Sequence, residues 1–268
     1  LALFERNPAP PIDEAALLLA ADFTPALDIP ATRAALDALA APLVPRLEHV
    51  RTARDIAAVL ATWLFDEQNF QGDEATYYDP RNSYLHEVLK RRKGIPITLA
   101  VVMIAVGRRA GVCVEGVGFP GHFLARVHGA HGDDGVLVDP FFQGREVTRA
   151  ALDALAFRML GNPSRLRPEH LATVDARAMV TRMLVNLHSA HEGRGDHANA
   201  LLACDRLLDL TGNLDVRRDR ARHLLALGAS EAAAADLEAW LRARPHAPEA
   251  GAVRELLARI RRVRRDLQ

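Results

Sequence analysis

The sequence predicts an α+β domain followed by an all-α domain, and three observations carry that reading. Ile97 to Val106, directly behind Pro96, is apolar nearly all round, so a helix there must be enclosed on every side. Short β-type runs separated by turn residues follow it, which is the order of a small antiparallel sheet packed on a buried central helix. Beyond Leu171 only helical periodicity is read, with a weak recurrence every 33 residues.

Size and composition fit this division. The 268 residues suffice for two domains of about 150 residues or less, each with its own core. With 34 basic and 34 acidic side chains there is no net field to hold a polyanion, so composition argues against a nucleic-acid partner. The longest mainly apolar run, Ile95 to Val106, falls short of the roughly 20 residues of a membrane helix. Cys113 and Cys204 lack the paired spacing of a zinc ribbon or disulfide framework, which fits a reducing compartment. No basic-then-apolar leader pattern is read at the start, and the expected location is the cytoplasm. Eleven of the 14 aromatic residues lie between Trp63 and Phe157, and Trp240 alone follows. With the Gly-Asn-Pro-Ser break in Gly161 to Pro168, this places the domain boundary at residues 1–165 and 166–268.

Taken in order, Glu14 to Ala21, Thr32 to Ala41 and Ala53 to Phe65 read as helices, and Phe70 to Arg81 as a loop. Asn82 or Ser83 can cap a helix to Arg92, with Gly94 as its left-handed stop. Pro96 suits the first turn of the central helix, and Gly111 closes it. Val112 to Val117, His122 to His128 and Val136 to Val138 read as strands. From Leu171 onward, Gly195, Ala200 and Gly212 recur as Gly228, Ala233 and Pro245, close to the roughly 34-residue tetratricopeptide period. Two such repeats are marginal alone, and a terminal helix with Val253, Leu256, Leu257, Ile260, Val263 and Leu267 on its apolar face can cap them.

Candidate chemistry centres on His122 and Asp139. One opens a strand and the other closes the next, so adjacent strands can bring imidazole to carboxylate, orienting the ring as a base or simply tying two strands together. A nucleophile belongs at the N-terminus of the central helix, where amides and dipole favour an anion; only Thr98 stands there, and it can instead bond back within its own turn. Cys113 is the other thiol in reach, expected as a packed strand residue between Val112 and Val114. His122, His128, His131, Asp133, Asp134 and Asp139 are ligand types within 18 positions, but three lie in a glycine-bounded turn, so no metal is expected. No other cofactor is expected either. Gly116, Gly118 and Gly121 have no helix behind them and so form no phosphate loop. Arg91, Arg92 and Lys93 complement a helix C-terminus. The arginines at 254, 259, 261, 262, 264 and 265 read as a solvated helix face.

Three stretches carry a resemblance: YDPRNSYLHEVLKRRKGIPITL from Tyr78, VEGVGFPGHFL from Val114 and VDPFF from Val138. Together they closely resemble the bacterial SirB/YchA family, and the resemblance extends over nearly the whole chain. It implies a transglutaminase-like, papain-like core followed by tetratricopeptide repeats. In active enzymes of that kind a Cys-His-Asp triad has its cysteine in the first turn of the central helix. His122 and Asp139 match the last two places, and Pro96 stands in the cysteine's place. A proline ring cannot attack an acyl group. The resemblance therefore implies a non-catalytic core that binds a protein or peptide through its cleft and repeats. The rival expectation is a hydrolase or acyltransferase in which the His122–Asp139 dyad activates water, Thr98 or Cys113.

Overall fold

The computed structural model describes residues 2–130 and 135–266, and the side chains of 3–130 and 135–262. The chain divides into two compact units, Ala2–Met183 and the residues from Leu184 onward. The division falls inside a helix, downstream of the Gly161–Pro168 break that the sequence marks.

The first unit opens with helices α1 (Ala2–Arg6), α2 (Ile12–Phe23), α3 (Ile29–Ala40), α4 (Leu43–Leu47) and α5 (Ala53–Ala61). Caps fix their starts: Asp28 accepts from the Ala31 amide and Thr52 from the Asp55 amide. The expected continuation to Phe65 exists, but Thr62–Glu67 widens into a π-helix that buries Trp63, Leu64 and Phe65. Trp63 Nε1 donates to the Leu39 carbonyl at 2.8 Å, pinning this turn to α3.

The expected loop from Phe70 contains strand β1 (Gln71–Gly72) and a 3-10 turn, Pro80–Asn82. Helix α6 (Leu85–Arg91) follows, and strand β2 (Lys93–Gly94) pairs parallel with β1. Two expectations are corrected here. Neither Asn82 nor Ser83 caps α6, whose N-cap is Tyr84 without a side-chain bond, because Asn82 is engaged elsewhere. The left-handed stop is Arg92 at φ 58°, and Gly94 serves a different need: a Cβ on it would lie 2.8 Å from Thr98 Oγ1.

Helix α7 (Pro96–Arg109) is the enclosed element the sequence demands, with Pro96 at its first position and 11 of its 14 residues buried. It packs against α2, α3 and α6 on one side and the sheet on the other. Its C-terminal Arg109 bonds Asp13 of α2 at 2.8 Å and Asp37 of α3 at 2.6 Å, satisfying a carboxylate that is only 2% exposed. Gly111 follows at φ +81°.

Strands β3 (Val114–Val117), β4 (Leu124–Val127), β5 (Val136–Asp139) and β6 (Arg145–Glu146) precede α8 (Arg149–Leu160). The chain then returns as β7 (Thr173–Val174), which the all-helical reading after Leu171 missed. The antiparallel sheet runs β6-β5-β4-β3-β7.

Helix α9 (Ala176–Glu192) crosses the division. The second unit continues as α10 (His197–Thr211), α11 (Val216–Ala226), α12 (Ser230–Ala243) and α13 (Ala250–Asp266), each packed on the next. Gly195 and Gly228 adopt the same left-handed turn 33 residues apart, at φ 69° and 79°. Ala200 and Ala233 are both fully buried, so the recurrence marks structurally equivalent turns and contacts. Trp240 and Leu237 form a core with Val253, Leu257 and Ile260 of α13, which caps the unit; Val263 and Leu267 lie outside the described side chains. Arg261 bonds Glu238 and Arg254 donates to the Pro245 carbonyl, so part of the basic face is used locally. No helix among the described residues is long and apolar enough to cross a membrane.

Candidate functional site

Phe119-Pro120-Gly121-His122 forms a β-turn, with the His122 amide donating to the Phe119 carbonyl at 3.1 Å and Gly121 at φ +69°. Proline at the second position and a left-handed glycine at the third are what such a turn needs. His122 thus sits just before β4 instead of inside it. Asp139 ends β5 and caps the 3-10 turn Pro140–Phe142. Extending the Ala125–Val138 register places Leu124 opposite Asp139 and His122 two positions beyond. The ring closes that diagonal: His122 Nε2 lies 2.7 Å from Asp139 Oδ2.

The two carboxylate oxygens divide their work. Oδ2 meets the imidazole, and Oδ1 accepts from the Phe141 amide at 3.0 Å and the Phe142 amide at 3.4 Å. His122 is 6% exposed and Asp139 8%. A proton held on Nε2 by the carboxylate leaves Nδ1 as the acceptor of the ring, which is the arrangement of an oriented base.

Aromatic rings surround this pair. Phe142 stacks on His122 at 6.1 Å, Phe141 meets it edge-on at 6.2 Å, Tyr77 touches Phe141 at 6.0 Å and Tyr78 touches Tyr77 at 5.3 Å. The row reaches the surface at Tyr78, which is 71% exposed. Gly72 makes room for it: a Cβ there would stand 2.7 Å from the Phe141 ring. Burial, with help from Tyr78, pushes the Tyr77 phenol up, opposed by Arg182. Arg182 of α9 donates to the Phe119 carbonyl at 2.9 Å and lies over Phe123, so it braces the turn that presents His122.

Neither proposed nucleophile is hydrogen-bonded to this dyad. Thr98 is fully buried; its hydroxyl donates to the Asn82 carbonyl at 2.6 Å and accepts from the Ile95 amide at 3.2 Å. The alternative local reading of Thr98 therefore describes its geometry. Cys113 is corrected twice: it precedes β3 and it is exposed. Its carbonyl accepts from the His128 amide at the end of β3 remote from His122. Five residue steps from Cys113 to Gly118, at about 3.3 Å each, put the thiol on the order of 16 Å from the turn that carries His122. Partial desolvation of the sulfur, exposed though the residue is, and the nearby Glu115 charge also push its pKa up, away from thiolate.

Of the ligand types near the hairpin, His128 bonds Glu115 at 2.7 Å and does not join His122, while His131, Asp133 and Asp134 lie outside the described residues. The long motif from Tyr78 is largely scaffold. Asp79 caps its own turn, and Asn82 links the Thr76 carbonyl, the Thr98 hydroxyl and Arg91. Arg91 also bonds Asp73, so its charge is spent inside the fold. Gly72, Tyr77 and Arg182 escaped sequence reasoning. The doublets Tyr77-Tyr78 and Phe141-Phe142 were the visible trace of the aromatic row.

Comparison with known proteins agrees with this architecture. Residues 30–185 match the model of the transglutaminase-like superfamily, and residues 187–258 match a tetratricopeptide repeat model. A UPF0162 protein of Xylella fastidiosa strain Temecula1 is 36% identical over 240 residues, covering 88% of this chain and 84% of that protein. A UPF0162 protein of Pseudomonas aeruginosa is 32% identical, over 75% of this chain and 72% of its own length. F-box only protein 21 of Homo sapiens is 40% identical over 91 residues, which are 32% of this chain and 14% of that protein.

Proposed function

The chain belongs to the transglutaminase-like superfamily, and from that premise we propose that it is a non-catalytic member whose cleft and helical repeats bind a protein or peptide. The observation that carries this reading is that, among the described residues, neither the Thr98 hydroxyl nor either thiol is bonded to the dyad. Pro96 holds the first position of α7, Thr98 is tied into the scaffold, and Cys113 lies at the wrong end of β3. The other thiol, Cys204, is enclosed in α10.

What remains around His122 suits recognition. A row of rings from the buried imidazole to the exposed Tyr78 and the 37%-exposed Phe142 offers the rigid apolar contact area typical of binding hot spots. Stacked helix pairs in the second unit add extended surface of the kind repeat proteins use to hold partners. The short segment shared with the much larger F-box only protein 21 supports reading the core as a module that works inside different chains. Two unpaired thiols fit a reducing cytoplasm as the place of action.

The test uses the intact chain. Affinity capture from the cells of origin, followed by identification of the partner, is repeated with Tyr78→Ala and Phe142→Ala. Weakened capture by both is expected. Alongside, hydrolysis of amide and ester substrates is measured for the parent and His122→Ala. Turnover that disappears with the imidazole would overturn the non-catalytic reading in favour of a water-activating dyad.

A further inference from the structure

The second unit contains a cluster that the cleft does not use. His188 of α9, Cys204 of α10 and His223 of α11 bring one nitrogen, one sulfur and one nitrogen within 4.8 Å of one another. His188 Nε2 and His223 Nε2 meet at 2.9 Å, and on the other side of the same ring His223 Nδ1 meets His197 Nδ1 at 3.1 Å. Cys204 and His223 are both fully buried, whereas His188 and His197 are partly exposed.

We propose that His188, Cys204 and His223 form a zinc site that clamps α9, α10 and α11 together. Two imidazoles and a thiolate are the donor types of protein zinc, and they disfavour magnesium and calcium, which take oxygen ligands. The donors, within 4.8 Å of one another, lie close to zinc spacing. Tetrahedral bonds of about 2.0–2.1 Å to nitrogen separate two nitrogens by about 3.3 Å, and those to nitrogen and sulfur place the pair about 3.6 Å apart. For zinc to sit between the two Nε2 atoms, the proton that His188 holds on Nε2 in the metal-free form moves to its Nδ1, so that both rings ligate as neutral imidazoles. The Cys204 thiol loses its proton to solvent as the zinc–sulfur bond forms.

The surroundings supply what a zinc histidine requires. With its proton on Nδ1, His223 donates to His197 and turns the Nε2 lone pair toward His188, so His197 is the outer partner that fixes the tautomer. The partly exposed edge at His188 is the entry path, and water from that side completes the fourth position. A clamp across three consecutive helices meets a need of this unit, whose repeats are too few to be robust by stacking alone. The proposal is independent of the binding role assigned to the cleft.

The experiment titrates the full chain with cobalt(II) and then zinc(II) in a Cys113→Ser background, where Cys204 is the only thiol. One equivalent of cobalt is expected to give tetrahedral ligand-field bands with a sulfur-to-cobalt charge-transfer absorption, both displaced by zinc. Cys204→Ser loses the charge-transfer absorption. His188→Gln, at a partly exposed position, weakens affinity at least tenfold, and His197→Ala weakens it about 10-fold through the outer shell. Circular dichroism confirms that each variant is folded. Folded parent protein without the charge-transfer absorption, or equal affinity in the parent and His188→Gln, would overturn the site.

Discussion

Asp139 serves His122 with one carboxylate oxygen, at 2.7 Å, and the backbone of its own following turn with the other. The same side chain therefore holds the imidazole and shapes the 3-10 turn that carries the two phenylalanines packed on it. Loss of the carboxylate disturbs ring and aromatic wall together.

Asp139→Ala removes a buried charged acceptor and a cap, so a loss of about 3 kcal/mol is expected. Thermal unfolding should fall by roughly 6–12 °C for a unit of this size. Asp139→Asn keeps an acceptor for the Phe141 amide and should lose about half as much. Equal losses in the two variants would show that the cap contributes nothing.

Thr98→Val exchanges a hydroxyl for a methyl at a fully buried site and strands the Asn82 carbonyl and the Ile95 amide. The expected cost is about 2 kcal/mol, seen as a lower denaturant midpoint at unchanged slope. Thr98→Ser retains both bonds and should restore most of the stability. A Thr98→Val protein as stable as the parent would remove the scaffold role assigned to this hydroxyl.

Acid should weaken the first unit through His86. Burial pushes its imidazole below the ordinary value, Glu87 pulls it up and Lys90 pushes it further down, and its buried Nδ1 has no partner. Asp28, Lys90 and Arg92 line the same 340 Å³ cavity. The unfolded chain then binds more protons than the folded one as pH falls below about 6.5, so this contribution to stability is present above that value and is lost toward the depressed folded pKa. Unfolding midpoints between pH 7.5 and 5.5 should decline less steeply in His86→Gln than in the parent. Identical slopes would assign the acid sensitivity elsewhere.

Much of the fold was legible because its strongest elements are local in sequence. Pro96, the apolar run behind it and Gly111 specify an enclosed helix without reference to anything distant, and the short runs after it specify a hairpin sheet. The His122–Asp139 pairing followed from strand adjacency alone. Period-two alternation, followed strictly, also turns Cys113 outward once Val114 faces inward, and the two flanking valines obscured that. Gly72 and Arg182 act through contacts with residues 59 or more positions away, so no local pattern announces them. The same holds for His188, Cys204 and His223, whose spacings of 16 and 19 follow no metal-ligand motif and whose meeting depends on three helices packing.

The late return of the chain to the sheet bears on how this protein can be dissected. Thr173 and Val174 pair with β3, and Arg182 braces the turn before His122, although both lie past the proline-rich break. Scissors placed at that break would amputate an edge strand and unmoor the histidine, so a fragment ending near residue 165 would report the injury of the cut. An expression boundary that keeps the first unit and its last helix whole lies past Glu192, the end of α9.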